Sequence, residues 1–136
     1  MSFKDLETLE LFAGCSRKEL RVVRSITTPA RIPAGHYLTE SGTYGRECML
    51  IESGTVNVVV DGDTVAKVGP GELIGEMALL EGPAGERNAT TVAATDCDVL
   101  VFTPVEFRRL MTELPAVAAR ITDIAEARAQ QTAALV

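Results

Sequence analysis

A chain of 136 residues, 46% hydrophobic and 24% charged, can bury the core of one domain, and no apolar run approaches the ~20 residues a membrane helix needs. Thirteen Lys and Arg against nineteen Asp and Glu leave a net charge of −6, which excludes a basic nucleic-acid surface and long-range steering of an anionic ligand. Cys15, Cys48 and Cys97 are odd in number without a C-x-x-C pair, so buried free thiols in a reducing cytoplasm are expected rather than a disulfide framework or a zinc site. The opening Met-Ser-Phe-Lys-Asp-Leu-Glu carries acids where a signal peptide needs an apolar core.

The lead-in is expected to be helical over about residues 3–27. Ser16 followed by Glu19 makes a capping box, and Leu20, Val23 and Ile26 supply one apolar stripe. From Thr28 to Phe102 the pattern changes to short alternating or β-branched runs between turn residues, as in a β-barrel or sandwich. Thr55 to Val60 and Thr64 to Val68 are joined through Asp61-Gly62-Asp63, a hairpin signal because Gly62 can take positive φ. Strand signals resume from Ala89 to Thr95 and from Cys97 to Phe102. Thr103-Pro104-Val105-Glu106 then combines an N-cap, a proline at the first helical position and a Glu at the third. Phe107, Leu110 and Met111 form that helix's apolar face.

Pro115 disfavours helix at Leu114, so a second helix is expected to start near Pro115, with the break as a hinge. It carries Val117, Ile121 and Ile124 at helical spacing and is expected to fray at Gln130-Gln131-Thr132. A stripe this thin should dock weakly. It reads either as a homodimer seam or as a face lying against the barrel, and Arg128, next in the series, argues against a long dry seam. The division is thus a β-roll over about 28–102 and C-terminal helices over about 104–132, within a single domain spanning 1–136. No helix-turn-helix, kinase or channel pore follows the last helix, so the signal is expected to pass to a partner chain.

Residues 74 to 89 read Ile-Gly-Glu-Met-Ala-Leu-Leu-Glu-Gly-Pro-Ala-Gly-Glu-Arg-Asn-Ala. A Gly-Glu pair opening a short apolar helix leaves backbone N–H groups unpaired, and a turn rich in Gly and Pro returns the chain to a lone arginine. That combination suits an anion with a counter-ion. Glu76 is compatible with it if it turns aside and accepts a hydrogen bond from a neutral hydroxyl, so a sugar phosphate meets the demands.

This segment resembles the phosphate-binding cassette of the cyclic nucleotide-binding domain family. The resemblance extends to Leu11 to Ser16 with Glu19-Leu20 as the N-terminal helix, to Pro33-Ala34-Gly35 as the first barrel turn, to Leu50 to Val56 as a signature hairpin, and to Gly69 to Glu76 leading into the cassette. It implies a mainly β fold with flanking helices, a double-stranded β-helix or jelly-roll-like β-roll of eight antiparallel strands. It further implies cyclic AMP or cyclic GMP as ligand and no other cofactor. Arg87 would pair with the cyclic phosphate, backbone N–H groups around Gly75, Met77 and Ala78 would cap it, and Glu76 would accept from the ribose 2′-hydroxyl. Asn88 and Ala89 complete the Arg-containing end, and Val58 and Val65 match positions that can touch the base. The sequence departs from the family in the longer spacing of Glu76 and Arg87, eleven positions apart (87 − 76), in Asn88 where Ala, Ser or Thr is usual, and in Thr91 where a branched apolar residue is common.

Several residues read more simply. The single histidine, His36, cannot build a cupin-like metal centre, which needs several His and carboxylate ligands. Tyr37 and Tyr44 suit edge and loop packing, and Met77, Leu79 and Leu80 suit anchoring of the cassette helix. No Ser/His/Asp or Cys/His set is present, so no enzyme is expected. The reading is a cytoplasmic cyclic nucleotide-binding regulatory domain that binds no nucleic acid and does not insert in a membrane. The alternative is a ligand-free interaction or oligomerisation module on the same fold.

Overall fold

The computed structural model describes residues 6–39, 47–75 and 90–135, with side chains to residue 128. The lead-in is less helical than its pattern suggests. Two 3-10 turns, Leu6–Thr8 and Glu10–Phe12, precede the first α-helix, α1 (Arg17–Ser25). Gly14 at φ 80 separates them from it, and Ser16 starts α1 with the expected capping box, its Oγ accepting from the Glu19 N–H while the Ser16 N–H donates to Glu19.

Eight strands follow among the described residues: β1 (Thr28–Ile32), β2 (Tyr37–Thr39), β3 (Cys48–Ser53), β4 (Val56–Val60), β5 (Asp63–Val68), β6 (Leu73–Ile74), β7 (Thr90–Ala93) and β8 (Cys97–Phe102). They form two four-stranded sheets, ordered β1-β8-β3-β6 and β2-β7-β4-β5, with antiparallel pairing throughout. This is the double-sheet arrangement of a jelly roll. The β4–β5 turn places Asp61 at φ 52 and Gly62 at φ 84, the two positive angles of a type I′ hairpin.

Leu50 to Val56 is not the hairpin its residues resemble. β3 pairs with β8 and β6, whereas β4 pairs with β5 and β7, so the chain changes sheet between them. At that corner Gly54 takes φ 99, and a Cβ there would lie 2.5 Å from the Asp96 carbonyl oxygen and 2.7 Å from Cys97 Sγ. The β7–β8 connection changes sheet at the same place, and the two crossings bond to each other. The Ala94 N–H donates to the Thr55 carbonyl (2.9 Å) and the Thr55 N–H to Thr95 Oγ1 (3.0 Å). Asp96 extends the lock to the β1–β2 turn by accepting from the Ala34 N–H at 2.9 Å. That bond, followed by the Arg31 guanidinium, holds the Asp96 carboxyl below its ordinary pKa.

The first sheet is buried on both faces. Cys48, Leu50, Leu73, Leu100 and Phe102 face a core shared with the lead-in and the C-terminal helices, while Met49, Ile51, Ile74, Cys97 and Val99 face the second sheet. Hence the unbroken apolar run of β3, which an alternating strand would not show.

Two helices close the chain, α2 (Pro104–Glu113) and α3 (Pro115–Leu135). Thr103 caps α2 through its bond from the Glu106 N–H, and Leu114, at φ −123 and ψ 76, breaks the helix ahead of Pro115. Of the two uses open to the α3 stripe, the structure shows packing on the chain's own core. Val117 and Ile121 are fully buried and Ile124 partly so, and burial of this kind contributes about 1.5–3 kcal/mol for a large aliphatic side chain. The docking is also firmer than the apolar count suggests, because Arg120 donates to the Leu11 carbonyl (2.8 Å) and Arg128 to that of Leu73. The helix continues through 130–132 to Leu135, since Ala and Gln are good helix formers.

The Gly54 corner is testable against Gly62, which has a similar φ but no atom within 4 Å of an added Cβ. Gly62→Ala is expected to cost about 1–2 kcal/mol from φ alone. Gly54→Ala adds overpacking of about 1–3 kcal/mol. Urea denaturation of both variants measures the difference.

Candidate functional site

Among the calls on the site, Glu76, Met77, Ala78, Arg87, Asn88 and Ala89 lie outside the described residues, as do Tyr44, Leu79 and Leu80. What the structure describes is the frame from which the cassette springs and to which it returns. Gly75 follows β6 at φ 88, a left-handed angle open to glycine at little cost. Thr90 begins β7. β6 is an edge strand of the first sheet and β7 an inner strand of the second, so the segment's two ends stand on opposite sheets.

The second sheet presents one cross-strand row beside that return. Thr39 on β2 stands opposite Thr91 on β7, Thr91 opposite Val58 on β4, and Val58 opposite Ala66 on β5. Val58 is half-buried. Val65 is not in this row: the register passes from Val58↔Ala66 to Val59↔Thr64, leaving Val65 as the extra residue of a bulge, 48% exposed. That Ala66 rather than Val65 stands opposite Val58 is not readable from the sequence, because a bulge shifts the strand's alternation without leaving a mark in the residue pattern.

Thr91 has a partner in Thr39. Both are buried, the Thr39 N–H donates to Thr91 Oγ1 at 3.1 Å, and the two hydroxyl oxygens share a hydrogen bond at 2.8 Å. A branched side chain is thus retained, with its hydroxyl turned to a cross-strand bond where a methyl would only pack. The row therefore offers a mixed wall, two apolar side chains continuing into two hydroxyls, beside the return of the cassette.

On the other side of β6, Leu73 belongs to the core shared with the helices and Ile74 to that between the sheets. Arg128 of α3 reaches the Leu73 carbonyl, a contact the sequence marks only as a charged residue ending an apolar series. His36 donates its backbone N–H to the Pro33 carbonyl (3.1 Å) and accepts from Ala93 on its own carbonyl (2.9 Å), a turn role. Tyr37 is 61% exposed on the edge strand β2. Among the described residues no group of three His, Cys, Asp or Glu could hold a metal ion, and no helix is long and apolar enough to cross a membrane.

Comparison with known proteins adds to this geometry. The sequence model of the cyclic nucleotide-binding domain matches residues 29–113. The cyclic AMP receptor protein of Thermus thermophilus is 34% identical over 113 residues, covering 79% of this chain and 51% of that protein. The acetyltransferase Pat of Mycolicibacterium smegmatis is 39% identical over 94 residues, covering 66% and 28%. The crystal structure of the Thermus thermophilus catabolite activator protein superposes with a TM-score of 0.75 at 33% identity, over 92% of this chain and 60% of that one. The chain thus spans about half the length of the first of these curated relatives and less of the second.

The threonine pair yields a prediction. Thr91→Val keeps the shape but removes the side-chain acceptor of the buried Thr39 N–H and the hydroxyl–hydroxyl bond between the two residues. The cost is expected at about 1–3 kcal/mol. Chemical denaturation of the variant beside wild type measures it, with the isosteric Val92→Thr, at a less buried position of the same strand, as the control that should change little.

Proposed function

The chain belongs to the cyclic nucleotide-binding domain family, and on that footing we propose that it is a single regulatory domain that binds cyclic AMP, with cyclic GMP as the ligand to compare, and acts on a partner chain in the cytoplasm. The observation that carries the proposal is the joining of Gly-Glu-Met-Ala-Leu and Arg-Asn-Ala to two strands on opposite sheets, one opening at Gly75 with φ 88 and the other running beside Val58. The name of the Thermus receptor protein supports cyclic AMP as the first ligand to test.

In this proposal Arg87 pairs with the cyclic phosphate, and backbone N–H groups from Gly75 through Ala78 cap its oxygens. A net charge of −6 offers the anion no general attraction, so these local donors must supply its binding. Glu76 accepts from the ribose 2′-hydroxyl. Asn88 adds a polar contact beside Ala89, and Val58 flanks the base, with Ala66 opposite it and Val65 at the adjoining bulge of β5. The work is binding rather than catalysis. Ligand acts on the output by favouring one arrangement of the cassette and the helices on either side of Pro115 over another, to the extent that its affinity for the two differs.

A homodimer through α3 would have to use the helix's outward face, because Val117 and Ile121 are already buried in the chain's own core. The second reading, a ligand-free interaction module, differs in a direct measurement: calorimetric titration of both cyclic nucleotides into the purified protein gives saturable heat for the first and none for the second.

Two variants test the roles. Arg87→Ala removes a charge-assisted bond worth about 1.5–3 kcal/mol, so affinity is expected to fall at least about tenfold with the fold retained. Wild-type affinity in the folded variant would refute the phosphate role. Glu76→Gln is expected to weaken the ribonucleotide while scarcely changing the affinity of its 2′-deoxy analogue. Equal losses for the two ligands would remove the ribose role, because the cycle of protein and ligand changes isolates that contact.

A further inference from the structure

We propose that Arg128 is a positioning residue of the ligand site, one that ties α3 to the strand from which the cassette springs and so makes ligand binding and helix docking mutually dependent. The inference rests on the proposed function for its ligand, and on described residues alone for its geometry.

β6 contains two residues, Leu73 and Ile74, which among the described residues pair with Leu50 and Met49 of β3. It is the edge strand of its sheet, with one backbone side turned from the ladder. The Ile51 N–H donates to the Glu72 carbonyl at 3.0 Å and the Gly71 N–H to the Ile51 carbonyl at 2.7 Å. Alternation along an antiparallel strand then turns the Leu73 carbonyl to the open edge. Arg128 meets it there. The guanidinium is half-buried, so the bond is charge-assisted and partly withdrawn from water, the setting in which such bonds are strong.

Gly75 begins the cassette two residues further on, at φ 88. The direction of the chain at Gly75 is set by a two-residue strand, to which Arg128 supplies a bond from outside the sheet. Arg120, on the same helix, donates to the Leu11 carbonyl and anchors α3 to the lead-in, away from β6. The helix is therefore bonded at one point to the N-terminal segment and at another to the strand leading into the cassette. Loss of the Arg128 bond frees β6 and weakens the ligand's hold. By reciprocity, a ligand that fixes the cassette strengthens the docking of α3.

The test compares R128M, which keeps the apolar stem and the helix propensity, with R128K and R120M, all in the full chain. Without ligand, hydrogen exchange at residues 71–75 is expected to quicken in R128M and to stay at the wild-type rate in R120M. With cyclic AMP, R128M is expected to lose roughly tenfold in affinity, R128K to regain part of it, and R120M to bind as wild type. Ligand should raise protection over residues 115–128 in wild type and fail to do so in R128M. Wild-type exchange at 71–75 in ligand-free R128M overturns the proposal, and so does an equal loss of affinity in R120M, which would reduce Arg128 to a general anchor of the helix. If wild-type protein binds neither cyclic nucleotide, the proposed function fails and the ligand dependence with it, while the ligand-free exchange still decides whether Arg128 holds β6.

Discussion

Two sheets can face each other across a shared interior only if the chain crosses between them without filling the gap. Here two crossings, β3 to β4 and β7 to β8, meet at one corner. Gly54 makes the meeting possible, because its missing Cβ leaves room for the Asp96 carbonyl and the Cys97 sulfur. The bonds between Thr55 and residues 94 and 95 then satisfy backbone groups that a sheet-switching turn would otherwise leave bare. The other placements depend on this one, for the corner sets β4 and β7 side by side and so forms the row of Thr91 and Val58.

The layering decides how the candidate site can communicate. One face of the first sheet meets the helices and the other meets the second sheet, so the first sheet stands between the helices and the row of Thr91 and Val58. Well-packed sheet interiors have low compressibility and few voids, and β3 and β8 lie at the centre of that sheet. Its edge is more yielding. Like β3 and β8, β6 contributes to both cores, Leu73 to one and Ile74 to the other, but it does so from the edge of the sheet.

The elements legible in the sequence are those whose cause is local. The capping boxes at Ser16 and Thr103, the break before Pro115 and the Asp61-Gly62 turn each rest on residues within a few positions of one another, and each stands in the structure. Leu50 to Val56 has the residues of a hairpin but not its pairing, because Gly54 signals a turn without saying whether the strands it joins pair with each other. That depends on Asp96 and Cys97, some forty residues away. The bulge at Val65 and the Thr39–Thr91 bond are hidden for the same reason, since register across strands has no local signature. Arg120 and Arg128 look like interruptions of an apolar stripe until their carbonyl partners are known. Of the candidate site, residues 74–89 were legible as a motif, while the frame around it came only from the fold.

The corner also contains Cys97, whose Sγ lies 3.5 Å from the Thr55 carbonyl oxygen and 3.3 Å from that of Thr95. Burial raises its pKa, which keeps the sulfur protonated at neutral pH, and the thiol is a poor nucleophile beside the thiolate. It is also almost wholly inaccessible. An alkylating reagent can therefore capture this sulfur only when the two crossings separate, so the rate of its modification would serve as a clock for the opening of the roll, started by the chain itself and needing no label built into it.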